Sequence, residues 1–348
     1  MPKPEPITLI RRTSQTVVLG VAIMLSLSVI VDDYTFKNPV LTAGPDPWVI
    51  QQGKTYYVTH TTGNSLKLYK TDDMTQIAQA ASKVVWTPPA SGMNSKEIWA
   101  PEIHFINNAW YFYYAADDGK NANHRMWVLE NKSTDPFQGT WTDKGQLSLP
   151  DNKWAIDGTV LSQNGQLYFL WSGWEGDTDV RQDIYMVKMT NPWTPDGPRV
   201  RLSKPELPWE LAGSPPGVNE GPQILKHASK IHIIYSASGC WTDDYTLGLL
   251  TADENSDLIN PASWTKSAQP VFTKNPEGQA FGPGHCSFFM SPNGKQDWIL
   301  YHANPQTGQG CGSNRSIRMQ PFTWKSNAAP DFGKPAALDV QLDKPARE

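Results

Sequence analysis

The sequence has little of what several large protein classes require. Only three of its 348 residues are cysteine (Cys240, Cys286 and Cys311), and no cysteine or histidine pair stands at C-x2-C or H-x3-H spacing, which discounts a zinc site. Three thiols allow one disulfide and leave one thiol over, and spacing does not say which two pair. Cations are not in excess either: 30 Lys and Arg stand against 34 Asp and Glu, a net charge of -4. No basic face is available to collect phosphates, so nucleic acid is not expected as a partner. Between residues 40 and 326 there is no long amphipathic helix, heptad run, low-complexity stretch or linker-like change of composition. The apolar run from Val17 to Val31 is too short to span a bilayer comfortably.

That run follows Lys3, Arg11 and Arg12, and cations ahead of a short apolar stretch read as an export signal over residues 1–31, cleaved or kept as a signal anchor. The expectation is a secreted, extracellular protein with no membrane association beyond such an anchor. The full sequence is 39% hydrophobic with 29 Pro and 26 Gly, the composition of many short strands joined by turns. Fifteen Trp and twelve Tyr serve either core packing or stacking on sugar rings, and aromatic content alone does not choose. A neutral polymer suits the charge. Asn131-Lys-Ser133 and Asn314-Arg-Ser316 are glycosylation acceptors in a host that glycosylates exported proteins.

An internal repeat decides the fold class. Five segments place a turn residue before an aromatic and β-branched run: 53–60 (GKTYYVTH), 108–115 (NAWYFYYA), 165–172 (GQLYFLWS), 229–236 (SKIHIIYS) and 295–302 (KQDWILYH). With Tyr56, Tyr111, Tyr168, His232 and Trp298 as equivalents, the steps are 55, 57, 64 and 66 residues. Each run is followed by a second strand-like run, beginning at Leu66, His124, Asp183, Tyr245 and Ser316. This is the period of a large propeller blade, so the expectation is an all-β, five-bladed β-propeller over residues 32–330 with a C-terminal tail over 331–348.

Upstream of each run lies a short segment with an acid or His beside Gly or Pro: GPDPWV with Asp46, WAPEIH with Glu102, AIDGTV with Asp157, NEGPQI with Glu220 and PGHCSF with His285. Singly, each acid reads as a turn residue or a solvated strand end. Their steps of 56, 55, 63 and 65 match the first series, so a propeller would bring all five to one channel mouth. Burying several carboxylates together is costly unless they are paired or used. Glycoside hydrolysis uses such a set: one carboxyl kept protonated for the leaving oxygen, one ionised carboxylate to activate water or attack the sugar, and a third acid to raise the donor's pKa. The longer reach of Glu suits Glu220 as acid, with Asp46 as base and Asp157 as modulator.

These motifs resemble family 43 glycoside hydrolases across residues 36 to 326. The resemblance implies a five-bladed propeller with a base Asp in the first blade, a modulator Asp in the third and an acid Glu in the fourth, and Asp46, Asp157 and Glu220 match in order and context. It also implies inversion of configuration. More narrowly, LWSGWEG from Leu170, SGCWTDDYTLGLLTA from Ser238, GPGHCSF from Gly282 and RSIRMQPF from Arg315 are similar to the exo-acting α-1,5-L-arabinofuranosidase branch. The implied substrate is plant cell-wall arabinan or its oligosaccharides, cut by a monomer. By the same resemblance His285 sits on the axis beneath the sugar, holding a water or a calcium ion, although the chemistry requires no cofactor. Arg315 is expected to reach sugar hydroxyls, and Trp99 and Trp174 to wall the sugar pocket.

Alternatives on the same scaffold are a β-xylosidase, an arabinoxylan arabinofuranosidase, an endo-arabinanase and a non-catalytic carbohydrate-binding propeller. Fructoside-cleaving propellers are disfavoured, because their Asn-Asp-Pro-Asn, Arg-Asp-Pro and Glu-Cys signatures are missing.

Overall fold

A computed structural model describes residues 1–3 and 34–347. The export segment expected over 1–31 lies, after its first three residues, outside the described part. Two compact units are distinguished, Met1–Tyr34 and Thr35–Glu348, and the second carries everything described below. Among the described residues no helix is long and apolar enough to cross a membrane.

The second unit is built almost wholly of strands. A short β1 (Thr35–Phe36) precedes a sheet of β2 (Trp48–Gln52), β3 (Thr55–Thr59), β4 (Leu66–Thr71) and β5 (Ala81–Trp86). The next is β6 (Lys96–Ile106), β7 (Ala109–Asp117), β8 (Arg125–Asn131) and β9 (Thr142–Gln146). A third set is β10 (Ala155–Gln163), β11 (Gln166–Trp174), β12 (Arg181–Asn191) and β13 (Thr194–Ser203). The fourth is β14 (Gly217–His227), β15 (Lys230–Ala237), β16 (Thr246–Asp253) and β17 (Thr265–Lys266). Last come β18 (Phe281–Met290), β19 (Asp297–Asn304), β20 (Ser316–Trp324), β21 (Pro330–Asp331) and, in the tail, β22 (Leu342–Asp343). Within each set neighbours in sequence pair antiparallel, as short connections demand, and a two-residue parallel pairing of β12 with β14 joins the third set to the fourth.

The aromatic runs read from sequence are β3, β7, β11, β15 and β19, the second strand of each set. They are buried on both faces: every residue of β7 is buried, and Trp110, Tyr113, Tyr114 and Phe112 have at most 0% exposure. Sheets therefore lie against both sides of these strands. The large rings fill the gaps between successive sets, as where Tyr113 of the second packs on Phe169 of the third at 5.4 Å, and they also pair within a set, as Trp171 does with Tyr185 at 5.7 Å. Most of the Trp and Tyr content is thereby core. The first strands, β2, β6, β10, β14 and β18, pack each against the next, and β18 returns to β2, where Ser287 Oγ donates to the Pro47 carbonyl at 2.9 Å.

The tail does not trail in solvent. β22 pairs antiparallel with β1, Phe332 is buried, and the Gln320 amide donates to the carbonyls of Phe332 and Lys334. Residues 331–347 thus belong to the same compact unit as the sheets. Asn131 is no glycosylation acceptor in the folded chain: it is 1% exposed, its amide donates to the Gln138 carbonyl, and its oxygen accepts from Ser133.

Candidate active site

Each first strand has a residue in the left-handed backbone region, two residues before its start at Asp46 (φ 56°) and within its first five residues at Ala100 (φ 40°), Asp157 (φ 56°), Gly221 (φ 56°) and His285 (φ 33°), with a second one at Glu97 in β6 and Gly282 in β18. In β6, β10, β14 and β18 the ladder slips at that point. A bulge of this kind re-aims side chains, and a non-glycine residue held there costs on the order of 1–3 kcal/mol, a conformation that persists where the surroundings over-determine it. Five equivalent kinks turn Asp46, Asp157, Glu220 and His285 into one cavity of about 400 Å³. At Gly221 a side chain would be excluded twice, by the positive φ and by the His285 ring 3.2 Å from the position of a Cβ.

Glu102 does not join them. It lies two residues beyond the kink at Ala100, is 2% exposed, and pairs with His104 at 2.8 Å and with the Gln223 amide. The repeat phase that equated it with Asp46 and Asp157 was displaced in the second set, because the bulge residue there is an alanine.

Two environments divide the carboxylates. Burial by itself would raise the Asp46 carboxyl, but Arg315 and His285 outweigh it and hold Asp46 well below the usual carboxylate range. Arg315 Nη1 lies 3.0 Å from Asp46 Oδ1, the His285 Nδ1 3.4 Å from the same oxygen, and Thr61 Oγ1 donates to Oδ2 at 2.7 Å. Thr61 in turn accepts the Ala100 N–H at 2.7 Å. His302 Nδ1 accepts the backbone N–H of Asp46 at 3.1 Å, which fixes its proton on Nε2, and burial followed by Arg315 keeps this ring neutral.

Asp157 and Glu220 are the other environment. Burial, then the charges of Glu220 and Asp46, push Asp157 up to about 8 against the pull of His285 and the Gly221 N–H, which donates to Oδ2 at 3.1 Å. Burial also raises Glu220, helped by the charge of Asp46, while Tyr245, donating to Oε1 at 2.6 Å, acts in the opposite sense. Two repelling carboxyls in one buried site share a single proton at neutral pH. His285 is raised to about 9 in spite of burial, by Asp157 and Asp46, and so carries a positive charge. With Arg315 and His285 as cations and Asp46 and the proton-sharing pair as anions, the cluster is electrically balanced, the condition for burying it.

Aromatic rings wall one side. Trp99 stacks on His124 at 4.1 Å, and Trp154 stacks on Trp174 at 5.0 Å with the planes 10° apart. Trp99 and Trp154 line the cavity; Trp174 lies behind Trp154 and does not. Trp174, buried behind Trp154, supports that wall from β11 rather than forming it. Arg315 lines the cavity, its guanidinium donating to Asp46 and to the carbonyls of Gly312 and Cys311 through three of its five N–H groups.

A low-pKa carboxylate and raised carboxyls facing one cavity are the kind of pairing that general base and general acid chemistry requires. A family model described as Glycosyl hydrolases family 43 matches residues 36–330. The chain belongs to glycosyl hydrolase family 43. It is 38% identical to an extracellular exo-alpha-(1->5)-L-arabinofuranosidase of Streptomyces avermitilis, over 88% of this chain and 65% of that protein. It therefore spans just under two thirds of that relative's length. A protein of the same name from Streptomyces chartreusis is also 38% identical, over 77% of this chain and 82% of its own. The crystal structure of an alpha-L-arabinofuranosidase from Lactobacillus brevis superposes with a TM-score of 0.82 at 34% identity, covering 88% of this chain and 98% of that one.

In this family 43 chain the residues around His285 do not fit the calcium ion that the sequence resemblance implied. Calcium takes six to eight oxygen ligands. The carboxylates beside His285 Nδ1 are engaged by Arg315, Thr61 and the Gly221 N–H, and His285 is cationic. Among the described residues no group of three or more His, Cys, Asp or Glu is placed to hold a metal. His285 acts here as the ion-pair partner of two acids.

Sequence reasoning missed Thr61, Trp154, Tyr245, His302 and Trp241. Trp154 stands three residues before Asp157 and Tyr245 begins a recognised strand run, so both had a positional signal; Thr61 and His302, at the ends of second strands, had none. The cysteine pairing left open by spacing is Cys240–Cys311, with Cys286 buried and free. This disulfide ties the loop after β15 to the loop before β20 at the cavity rim. Closing a separation of 71 residues, it should contribute about 4 kcal/mol by restricting the unfolded chain. The double substitution Cys240→Ser, Cys311→Ser is expected to lower the urea midpoint accordingly; a midpoint equal to the parent's would contradict this.

Proposed function

We propose that this chain is a secreted, inverting, exo-acting α-L-arabinofuranosidase that removes L-arabinofuranose from α-1,5-linked arabinan and arabino-oligosaccharides. The observation that carries the chemistry is the division of the buried acids into one carboxylate held ionised, Asp46, and one pair holding a proton, Asp157 and Glu220. The substrate class rests on the names of the relatives at 38% identity and of the solved structure at 34%, as does secretion, since both Streptomyces proteins are called extracellular. In this reading the five strand sets are the blades of a closed five-bladed propeller, supported by the return of β18 to β2.

Asp46 acts as the general base. It takes a proton from a water that attacks the anomeric carbon, while Arg315 and His285 keep its carboxylate from being protonated by solvent and Thr61 fixes its second oxygen. Glu220 acts as the general acid. Tyr245 holds Oε1, so the proton rests on the other oxygen and passes to the departing sugar hydroxyl as the glycosidic bond breaks. Asp157, anchored by the Gly221 N–H next to Glu220, shares the buried site with the acid and lies beside His285, which offsets the charge the acid leaves behind. One displacement by water inverts the anomeric centre.

Proton NMR of linear α-1,5-arabino-oligosaccharides with the enzyme tests this. Release of β-arabinose one unit at a time before mutarotation is the expected result. Turnover of xylo-oligosaccharides in place of arabinosides would move the reading to a β-xylosidase, and binding without turnover to a carbohydrate-binding propeller.

A further inference from the structure

Trp241 is at odds with the rest of the aromatic content. It is a large apolar side chain left 45% exposed, and it lines the acid-lined cavity together with Trp99 and Trp154, from a different strand set. Exposure of a single large ring is unremarkable when nothing holds it, but this one is seated with care. A Cβ on Gly239 would lie 2.3 Å from Trp241 Cε2, and one on Gly213 would lie 2.6 Å from its Nε1. Only glycine allows the indole to lie that close to both stretches of backbone. The neighbouring residue Cys240 is tied to Cys311, and Asp243, two residues on, accepts from Thr307 and from the Gly308 N–H at 2.9 Å. Four separate devices thus immobilise a ring that remains open to solvent.

Its position says which part of a substrate it meets. Trp241 follows β15, the strand paired with Glu220 in β14, and Tyr245, four residues later, holds the Glu220 carboxyl. The proposed acid delivers its proton to the leaving oxygen, so the leaving sugar must lie on the Glu220 side of the cavity. We propose that Trp241 is the stacking platform for the sugar on the leaving-group side of the cleaved bond, and that it makes the enzyme prefer oligosaccharides to substrates with a small non-sugar leaving group. Pentose rings present C–H edges that lie well on an indole face, and a preplaced ring adds no ordering cost on binding. Binding energy from this sugar is used to position the reacting bond, so it is felt in kcat/KM and not in KM alone.

The inference rests on the glycosidase reading of the site, and the test keeps the two apart. Trp241→Ala, Trp241→Phe and the parent enzyme are assayed on arabinotriose and 4-nitrophenyl α-L-arabinofuranoside, and on the matching xylo-series. In Trp241→Ala the ratio of kcat/KM on the trisaccharide to that on the nitrophenyl substrate is expected to fall about tenfold or more, and Trp241→Phe to recover most of it. A ratio that does not change, whether both activities fall together or neither falls, overturns the platform. Cleavage of the xylo-series alone by the parent overturns the arabinan reading and leaves the same ratio to decide the platform in that series. A parent inactive on both series overturns both.

Discussion

Replacing Asp46 by asparagine is expected to lower kcat about 10^4-fold, the upper end of what a positioned base contributes, with the fold intact by circular dichroism. Asparagine keeps the shape of the side chain and can still accept from Thr61, but it cannot take a proton from water. The loss goes beyond the missing base. Arg315 and His285 are left facing each other's charge without the anion between them, and Asp46 is one of the groups that raises His285, so that ring's pKa falls when the charge is removed. Added azide should restore part of the rate, because a small anionic nucleophile needs no base, and should give a β-configured arabinosyl azide in place of the free sugar. A kcat within tenfold of the parent would assign the base elsewhere.

Glu220→Gln is expected to separate substrates by leaving group. On arabino-oligosaccharides, whose departing hydroxyl needs a proton, kcat should fall about 10^3-fold; on a 2,4-dinitrophenyl arabinofuranoside, whose leaving group departs as an anion, the loss should be within about tenfold. The pH profile gives a second reading of the same residue. The active form carries the proton shared by Asp157 and Glu220, and a raised pKa means that this proton is present at low pH and is lost as pH rises. Activity of the parent should therefore decline as pH climbs above the usual carboxylate range, because burial raises Glu220. On the acid side activity should persist below the usual carboxylate range, because Asp46 is held down by Arg315 and His285. In Glu220→Gln the decline at high pH should disappear with the dinitrophenyl substrate. Equal losses on both substrates, or an unchanged alkaline decline, would mean that Glu220 is not the acid.

The sequence carried a good deal of this. The five aromatic runs were legible because strands buried on both faces must be continuously apolar or aromatic, and such runs cannot be hidden by loop variation; all five are the second strands β3, β7, β11, β15 and β19. The runs that follow them, from Leu66 to Ser316, became the third strands for the same reason. The edge strands β5, β9, β13, β17 and β21 escaped, being largely exposed and without a periodic pattern to find, and all but the ten-residue β13 being short. Asp46, Asp157, Glu220 and His285 were found through their phase in the repeat, while Glu102 was wrongly equated with them because a bulge moves side chains by a residue without leaving a mark in the spacing.

By itself the sequence determined the strand repeat, the order of the acids along it and the family, since those depend on which residues occur and at what interval. Only the tertiary structure decided what each acid can do. Whether a carboxyl is ionised depends on the charges within a few ångströms, and the groups that set this are far away in the chain: Arg315 is 269 residues from Asp46, and His302 is 256. The same holds for Trp174, placed behind Trp154 instead of on the wall, and for Cys240, which found Cys311 and left Cys286 in the core. Local pattern is written in neighbours along the chain, whereas electrostatics and packing are written in neighbours across it.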